Sequence, residues 1–486
     1  MRWGVVDHER DLSGRLGAHR VSAFEERGTE ARFALQGSQD HDRAAVEAGA
    51  ALGAGRVRRP RSALVVGGGL AGIAAALALC DRGLRVVLLE AKRRLGGRAT
   101  SFTDAVTGET LDNCQHVALG CCSEYLQFCR RLGVLDCFEW YDEQYWVLPG
   151  GHESVLKPGV LPAPLHYTGS FLGCGFLGTA SKLAIGRAMG AIAFADLEQW
   201  REVTFGQVLR DLDQTEESRR RFWDPIVVSA CNLDPDEVAA TLAGKVFKDG
   251  FLAGADAARI GIPRVPLVRL YDAAMAELEH AGGEVRLGVS AQEMGADWVV
   301  TSRGERLQAD IVVCALPMER ARALVSAPEL QGIAEATHSP IVGVHMHFDA
   351  PVIDRPHAVL LDVGTQWVFR KDEAGAKVHC VISGAKDWVD QTEPEILERV
   401  RADLATCFPH SRQARLVWGK VVKEKRATFA ATPAFEAARP RAGVLSNGVV
   451  LAGDFTDTGW PATMEGAVRS GVMASESVSL VASGNI

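Results

Sequence analysis

The feature that most restricts this chain is a glycine pattern, Gly67-x-Gly69-x-x-Gly72, set between an apolar run and an Ala- and Leu-rich segment. Ala63-Leu-Val-Val-Gly67 reads as a buried parallel strand, Ile73 to Arg82 as a helix that Gly83 ends, and Leu84 to Glu90 as the next buried strand. This is a βαβ opening, and it predicts an α/β fold. Gly67 permits the tight turn, Gly69 lets a pyrophosphate approach the backbone, and Gly72 lets the helix pack closely on the strand. Leu70 and Ala71 start that helix, whose free N–H groups and positive end suit phosphates. Glu90 ends the second strand where an acidic residue accepts hydrogen bonds from a ribose. A glycine turn alone is a weak signal. With strand, helix and Glu90 in register it predicts a dinucleotide site.

That opening serves NAD and FAD alike, and two later segments separate them. Glu90-Ala91-x5-Gly96-Gly97-Arg98 places two glycines and an arginine just after the ribose-binding strand. The glycines let the chain pass close to a cofactor, and Arg98 can bond near its pyrophosphate; Lys92 to Arg94 read as a solvated basic loop. Near the other end, Val449 to Asp454 reads as a last buried strand, with Gly453 and Asp454 at its end. Pro461-Ala462-Thr463-Met464 then opens a helix, with Pro461 in its first turn and the helix running through Val472. Asp454 can bind ribityl or phosphate-side hydroxyls, and the helix start can face a flavin ring and favour its reduced form. These segments point to FAD. The strand at Glu284–Val289 brings Val289 to the same cofactor.

Composition then narrows the function. A formal net charge of -8 argues against nucleic-acid binding. The 11 cysteines include no CxxC pair and no zinc spacing, so they read as reduced thiols of a cytoplasmic protein with no metal site. No uncharged apolar window is long enough to span a bilayer; Tyr167 to Ser181 comes nearest and is short and Gly-rich. Residues 1–61 lack sustained apolar periodicity and read as a disordered extension, with short helices only around Arg43 to Ala51.

The set GGGLAG, EA-x5-GGR and LAGD, in this order, resembles the flavin-containing amine oxidase and phytoene desaturase superfamily, and within it the hydroxysqualene dehydroxylases. Finer marks are Leu111-Asp-Asn-Cys-Gln-His116, Trp223-Asp-Pro, Asn232, Ile262 to Leu267, Lys423 to Pro433 and Gly453 to Ala467. The likeness runs from Ser62 to the C-terminus. One departure is Cys114, where the pattern leads one to expect glycine, so that a Cβ would crowd the flavin side or force another backbone angle.

The resemblance implies a two-domain FAD-binding, Rossmann-like flavoprotein with a discontinuous FAD domain (62–119, 263–318 and 442–486) and an α+β substrate domain (120–262 and 319–441). It implies reductive removal of a hydroxyl from a polyprenyl, hydroxysqualene-like substrate to give squalene. The desaturase direction, and a flavin-binding scaffold without turnover, are the alternatives. His116 is the candidate proton donor, Gln115 and Asp112 the polar residues placed beside it, and Arg426 reads as a structural ion-pair former. Such a substrate predicts peripheral contact with the cytoplasmic membrane through Tyr167 to Phe194, flanked by Lys182 and Arg187, with Phe171 inserted. The same stretch also reads as a core or tunnel wall. The sequence identifies neither the electron donor nor the oligomeric state.

Overall fold

A computed structural model describes residues 61–333 and 336–482. Apart from Arg61, the extension and its expected short helices lie outside them.

The strand Ser62–Val66 is buried because it is paired on both edges, in parallel with Arg85–Glu90 and with Ile311–Cys314. Double-sided burial explains a continuous apolar run in place of alternation. The complete sheet has six strands in the order Glu284–Leu287, Arg85–Glu90, Ser62–Val66, Ile311–Cys314, Val450–Leu451, Gly443–Val444, and only the last pair is antiparallel. The helix Leu70–Asp81 is buried on nearly every face. It lies against the C-terminal helix Met464–Ala482 at small residues: a Cβ on Gly471 would stand 2.2 Å from the Ala71 carbonyl oxygen.

Two boundaries differ from expectation. The C-terminal helix starts at Met464, not at Pro461, and runs to Ala482. Thr463 caps it, its Oγ1 accepting from Gly466 N at 3.1 Å, and this hydroxyl outcompetes the proline as the starting signal. The strand expected from Val449 to Asp454 is only Val450–Leu451, and Gly453, at φ +150°, turns the chain away beyond it.

A second sheet has seven strands, in the order Leu416–Phe429, His338–Phe348, Lys377–Ser383, Trp367–Arg370, His357–Leu360, Gln144–Leu148, His152–Leu156. The 14-residue strand Leu416–Phe429 escapes sequence reading because Lys420, Lys423, Glu424, Lys425 and Arg426 mask its alternation. The helix Glu393–Cys407 packs beside this strand and begins with a capping box between Thr392 and Glu395.

Candidate active site

A cavity of about 570 Å³ opens at the carboxyl ends of the parallel strands. Val66, Glu90, Val289, Ala315 and Gly453 follow or end those strands, and all line it. A crevice at this edge, where the order reverses on either side of Ser62–Val66, is where open α/β sheets bind ligands. From there the cavity reaches the second sheet, where Ile341, Trp367, Phe369, Val381 and Thr428 form its far wall.

The near end is built from backbone. The Glu90 carboxylate accepts from Gly68 N and from Lys92 N, both at 2.7 Å, so one side chain ties the glycine turn to the loop after the second strand. Gly96 N donates to Gly68 O at 2.9 Å. Gly67, Gly96 and Gly97 have φ of +113°, +102° and +65°, a region that favours glycine. A Cβ on Gly69 would find only Gly97 Cα within 4 Å, at 3.9 Å. The floor between the two turns is therefore free of side chains, as a pyrophosphate requires. Gly72 does other work: a Cβ there would sit 1.8 Å from Gly67 O, and the residue is absent from the cavity wall.

Arg98 and Asp454 form an ion pair, and Arg98 Nη1 also donates to Ala427 O at 3.1 Å. Asp454 and burial act in opposite directions on the guanidinium; the carboxylate wins and raises its pKa. Two residues hold this pair: Asn113, quoted in the sequence only as part of a motif, and Arg439, which carried no signal. Asn113 Nδ2 donates to Arg98 O at 2.7 Å. Arg439, buried, donates to the Asp454 and Trp460 carbonyls at 2.9 and 3.0 Å and pairs with Glu436 at 2.9 Å. Arg320 also lines the cavity without any sequence signal, since it sits on a short helix with no motif.

The far end carries the segment Cys114-Gln115-His116. The His116 Nδ1 lies 3.0 Å from Cys114 O. A carbonyl only accepts, so Nδ1 carries the proton, and Nε2 is the free nitrogen of the neutral ring. Burial holds the ring's pKa below the ordinary imidazole value. Gln115 is engaged at both ends: its Oε1 accepts from Lys371 Nζ at 3.1 Å, and its Nε2 donates to His116 O at 3.1 Å. Behind this segment lie Lys371 and His379, whose pKa values burial lowers, and His379 stacks on His345 at 3.8 Å between ring centroids. Cys114 takes no left-handed backbone angle, so the strain expected of it is absent. Its side chain joins Ile260, Ile262, Phe369 and Val381 in an apolar cluster, and burial pushes its thiol up to about 12.

Of the residues singled out in the sequence, Gly67, Gly69, Leu70, Ala71, Glu90, Ala91, Gly97, Arg98, Val289, Gly453, Asp454, Ala462, Thr463, Met464, Gln115 and His116 line one cavity. Gly72, Pro461 and Asp112 do not. Asp112 Oδ1 accepts from Ser101 Oγ at 2.7 Å and from Leu267 N at 2.9 Å, which anchors the start of the helix Leu267–His280. It stands outside the wall from which catalysis would be done. Arg426 is exposed, 4.0 Å from Glu319. Asn232 contributes instead: in the left-handed region at φ +53°, it donates to Ser339 O and Thr428 Oγ1 and accepts from Gly384 N.

Residues 70–479 match the model of the flavin-containing amine oxidoreductase family. The hydroxysqualene dehydroxylase of Rhodopseudomonas palustris is 31% identical over 433 residues, covering 85% of this chain and 97% of that protein. The 15-cis-phytoene desaturase of Synechococcus elongatus is 24% identical over 452 residues, covering 85% and 95%. The structure of cyclohexylamine oxidase from Brevibacterium oxydans superposes with a TM-score of 0.63 at 18% identity, over 88% of this chain and 99% of that one. With the glycine cradle, Glu90 and the open floor above them fitting FAD, the chain is an FAD-dependent oxidoreductase and belongs to the flavin-containing amine oxidoreductase family.

Proposed function

We propose that this chain removes the hydroxyl of hydroxysqualene reductively, giving squalene and water, in the synthesis of hopanoid-type triterpenoids. The observation that carries the reading is the 31% identity to a hydroxysqualene dehydroxylase across 97% of that protein's length. The cavity suits such a substrate: Ile341, Trp367, Phe369 and Val381 make its far wall apolar. Bound FAD, once reduced by an external two-electron donor, supplies the hydride that replaces the hydroxyl. The residues Gly67 to Ala71, Glu90, Ala91, Gly97, Arg98, Val289, Gly453, Asp454 and Ala462 to Met464 hold it, in an FAD domain drawn from 62–119, 263–318 and 442–486. His116 works at the reacting end. Its Nε2 accepts from the substrate hydroxyl when the ring is neutral, and when protonated it gives the leaving oxygen its proton. Gln115, pinned by Lys371, fixes the segment that presents His116. The enzyme works in the cytoplasm, at the membrane surface where its substrate dissolves.

The test is anaerobic. Reduced enzyme mixed with hydroxysqualene should yield squalene and oxidised flavin together. New conjugated double bonds from phytoene, with no squalene from hydroxysqualene, would replace this reading with a desaturase. A flavin spectrum that responds to neither would leave a scaffold.

A further inference from the structure

Large apolar side chains that face solvent are concentrated in one stretch. Val160, Leu161, Leu165, Leu172, Leu183 and Phe194 are all exposed. The loop Gly159 to Leu165 is exposed throughout and contains no charged or hydrogen-bonding side chain. On the helix Thr179–Phe194 the outward positions are Thr179, Ala180, Leu183, Gly186, Arg187, Gly190 and Phe194. A solvated helix face is ordinarily charged. This one holds a single charge, while Leu183 is 63% and Phe194 91% exposed, about three turns apart on the same side.

Hydrogen bonds join the parts into one surface. Ser170 Oγ donates to Lys157 O at 2.7 Å, fixing the helix Thr168–Gly173 to the loop. Lys182 Nζ donates to Leu172 O at 2.7 Å, fixing that helix to the next. Phe171 faces inward, edge-on to Phe222, so it is not the inserting residue. Charge supplies an independent indication. The chain has 61 acidic residues, yet none from Ser154 to Ala195, where Lys157, Lys182 and Arg187 stand. Lys157 is paired with Glu143. Carboxylates around the stretch are engaged elsewhere: Glu217 on Gly178 N, Ser181 and Arg221, Asp142 on Arg259, and Glu153 on Arg355, while Asp196 lies beyond the helix end. No helix among the described residues is long and apolar enough to cross a membrane.

From these observations we infer that residues 159–194 form a docking surface for an anionic lipid bilayer. Val160, Leu161, Leu165, Leu172, Leu183 and Phe194 enter the acyl boundary, and Lys182 and Arg187 lie at the headgroups. The surface deepens the reading above, on which it rests for the substrate: a water-insoluble polyprenyl reaches the enzyme from the bilayer.

The test is flotation of the FAD-loaded full chain with vesicles of equal parts phosphatidylglycerol and phosphatidylcholine, scored beside dehydroxylation of detergent-dispersed substrate. The variant Leu183→Glu/Phe194→Glu should keep its flavin spectrum and its activity in detergent, and bind vesicles more than about ten-fold more weakly. Lys182→Gln and Arg187→Gln should each cost about five-fold at low salt. Val106→Glu and Val417→Glu, exposed elsewhere, should change nothing. Wild-type protein that converts substrate in detergent but stays with the unbound fraction would overturn the surface and spare the reaction; one that floats but converts nothing would do the reverse. Unchanged flotation of the double variant, or its conversion of a dimer into a monomer, would also overturn the proposal.

Discussion

The two ends of the cavity solve opposite problems. At the glycine end every polar group that matters has a partner. Glu90 is tied to two backbone amides, Arg98 to Asp454, and Asn113 to the Arg98 carbonyl. Behind the far end, buried titratable groups stand without ion-pair partners. Lys371 meets only an amide oxygen, and both ring nitrogens of His357 and of His379 are unpartnered. A diphosphate is charged and rigid, so it is held by preset amides at little reorganisation cost. A polyprenyl chain offers nothing to bond, so the layer behind its wall gains by leaving the buried histidine rings uncharged. The difference separates recognition from chemistry along one cavity, and each end can be broken without the other.

The sharpest break is at the glycine turn. Gly69→Val adds a side chain where the protein leaves room and the pyrophosphate would lie. The protein should remain folded and purify without flavin, as absorbance near the flavin bands would show. Gly72→Ala should fail differently, because its Cβ meets Gly67 O at 1.8 Å: the expected result is loss of soluble protein. Full FAD occupancy in Gly69→Val would remove the turn from cofactor binding and leave the comparison without its first half.

The next largest effect belongs to the far end. His116→Ala should keep FAD and lower turnover by roughly 10²–10⁴-fold, the usual size of general acid catalysis. The direction of the His116 shift sets the pH profile. A proton donor acts in its protonated form, and burial moves its pKa below the usual value, so wild-type kcat should rise as pH falls below about 6.5. His116→Ala should flatten that limb. A loss under ten-fold with the limb intact would leave His116 as a loop former through its bond to Cys114 O.

Smaller still is Glu90→Gln. It keeps shape but offers one acceptor oxygen in place of two, and one backbone N–H loses its partner. A buried unpaired donor costs about 1–3 kcal/mol, so FAD should dissociate roughly 10- to 100-fold more readily while the far end is untouched. Equilibrium dialysis of flavin against the variant measures it, and a Kd equal to wild type would show that the carboxylate does not hold the turn.

The near end was legible in the sequence because its signals are local. Gly67, Gly69 and Gly72 state their backbone geometry within six residues, and Glu90 follows one βα unit later. The Asp454 loop was legible as a cofactor segment, yet the Arg98–Asp454 pair was not, because it joins residues 356 positions apart. The far end was nearly silent. His345 meets His379 only because antiparallel register sets them opposite each other across two strands. Lys371 reaches Gln115 from 256 positions away. Asp112 misled for a related reason: it stands four residues before His116, but its carboxylate faces the start of the helix at Leu267. In a continuous strand residues four apart share a face, but the strand ends at Asp112 and the chain bends at 113–114, so the alternation is lost before His116.

The smallest expected effect at pH 7 tests whether the far end is as dry as its unpartnered rings imply. His357 is fully buried, edge-on to Tyr141 and Tyr145 and near-parallel to Trp367 and Phe369, the last two in the cavity wall. Burial lowers its pKa from 6.5 to about 4. In this window the unfolded chain binds a proton that the native state refuses. Stability is therefore complete above about 6.5 and falls with pH until about 4, where the native ring also protonates, for a total of about 3 kcal/mol. His357→Phe replaces the ring by one that needs no partner and fits an aromatic box, so it should cost little at pH 7. It should also remove that share of the acid loss, so denaturant unfolding at pH 7 and at pH 5 should give a smaller difference for the variant than for wild type. His345 and His379 keep some slope in both proteins, since burial depresses them in the same direction. Equal slopes would mean that water already reaches His357, and the wall facing the substrate would then be wet where the comparison needs it dry.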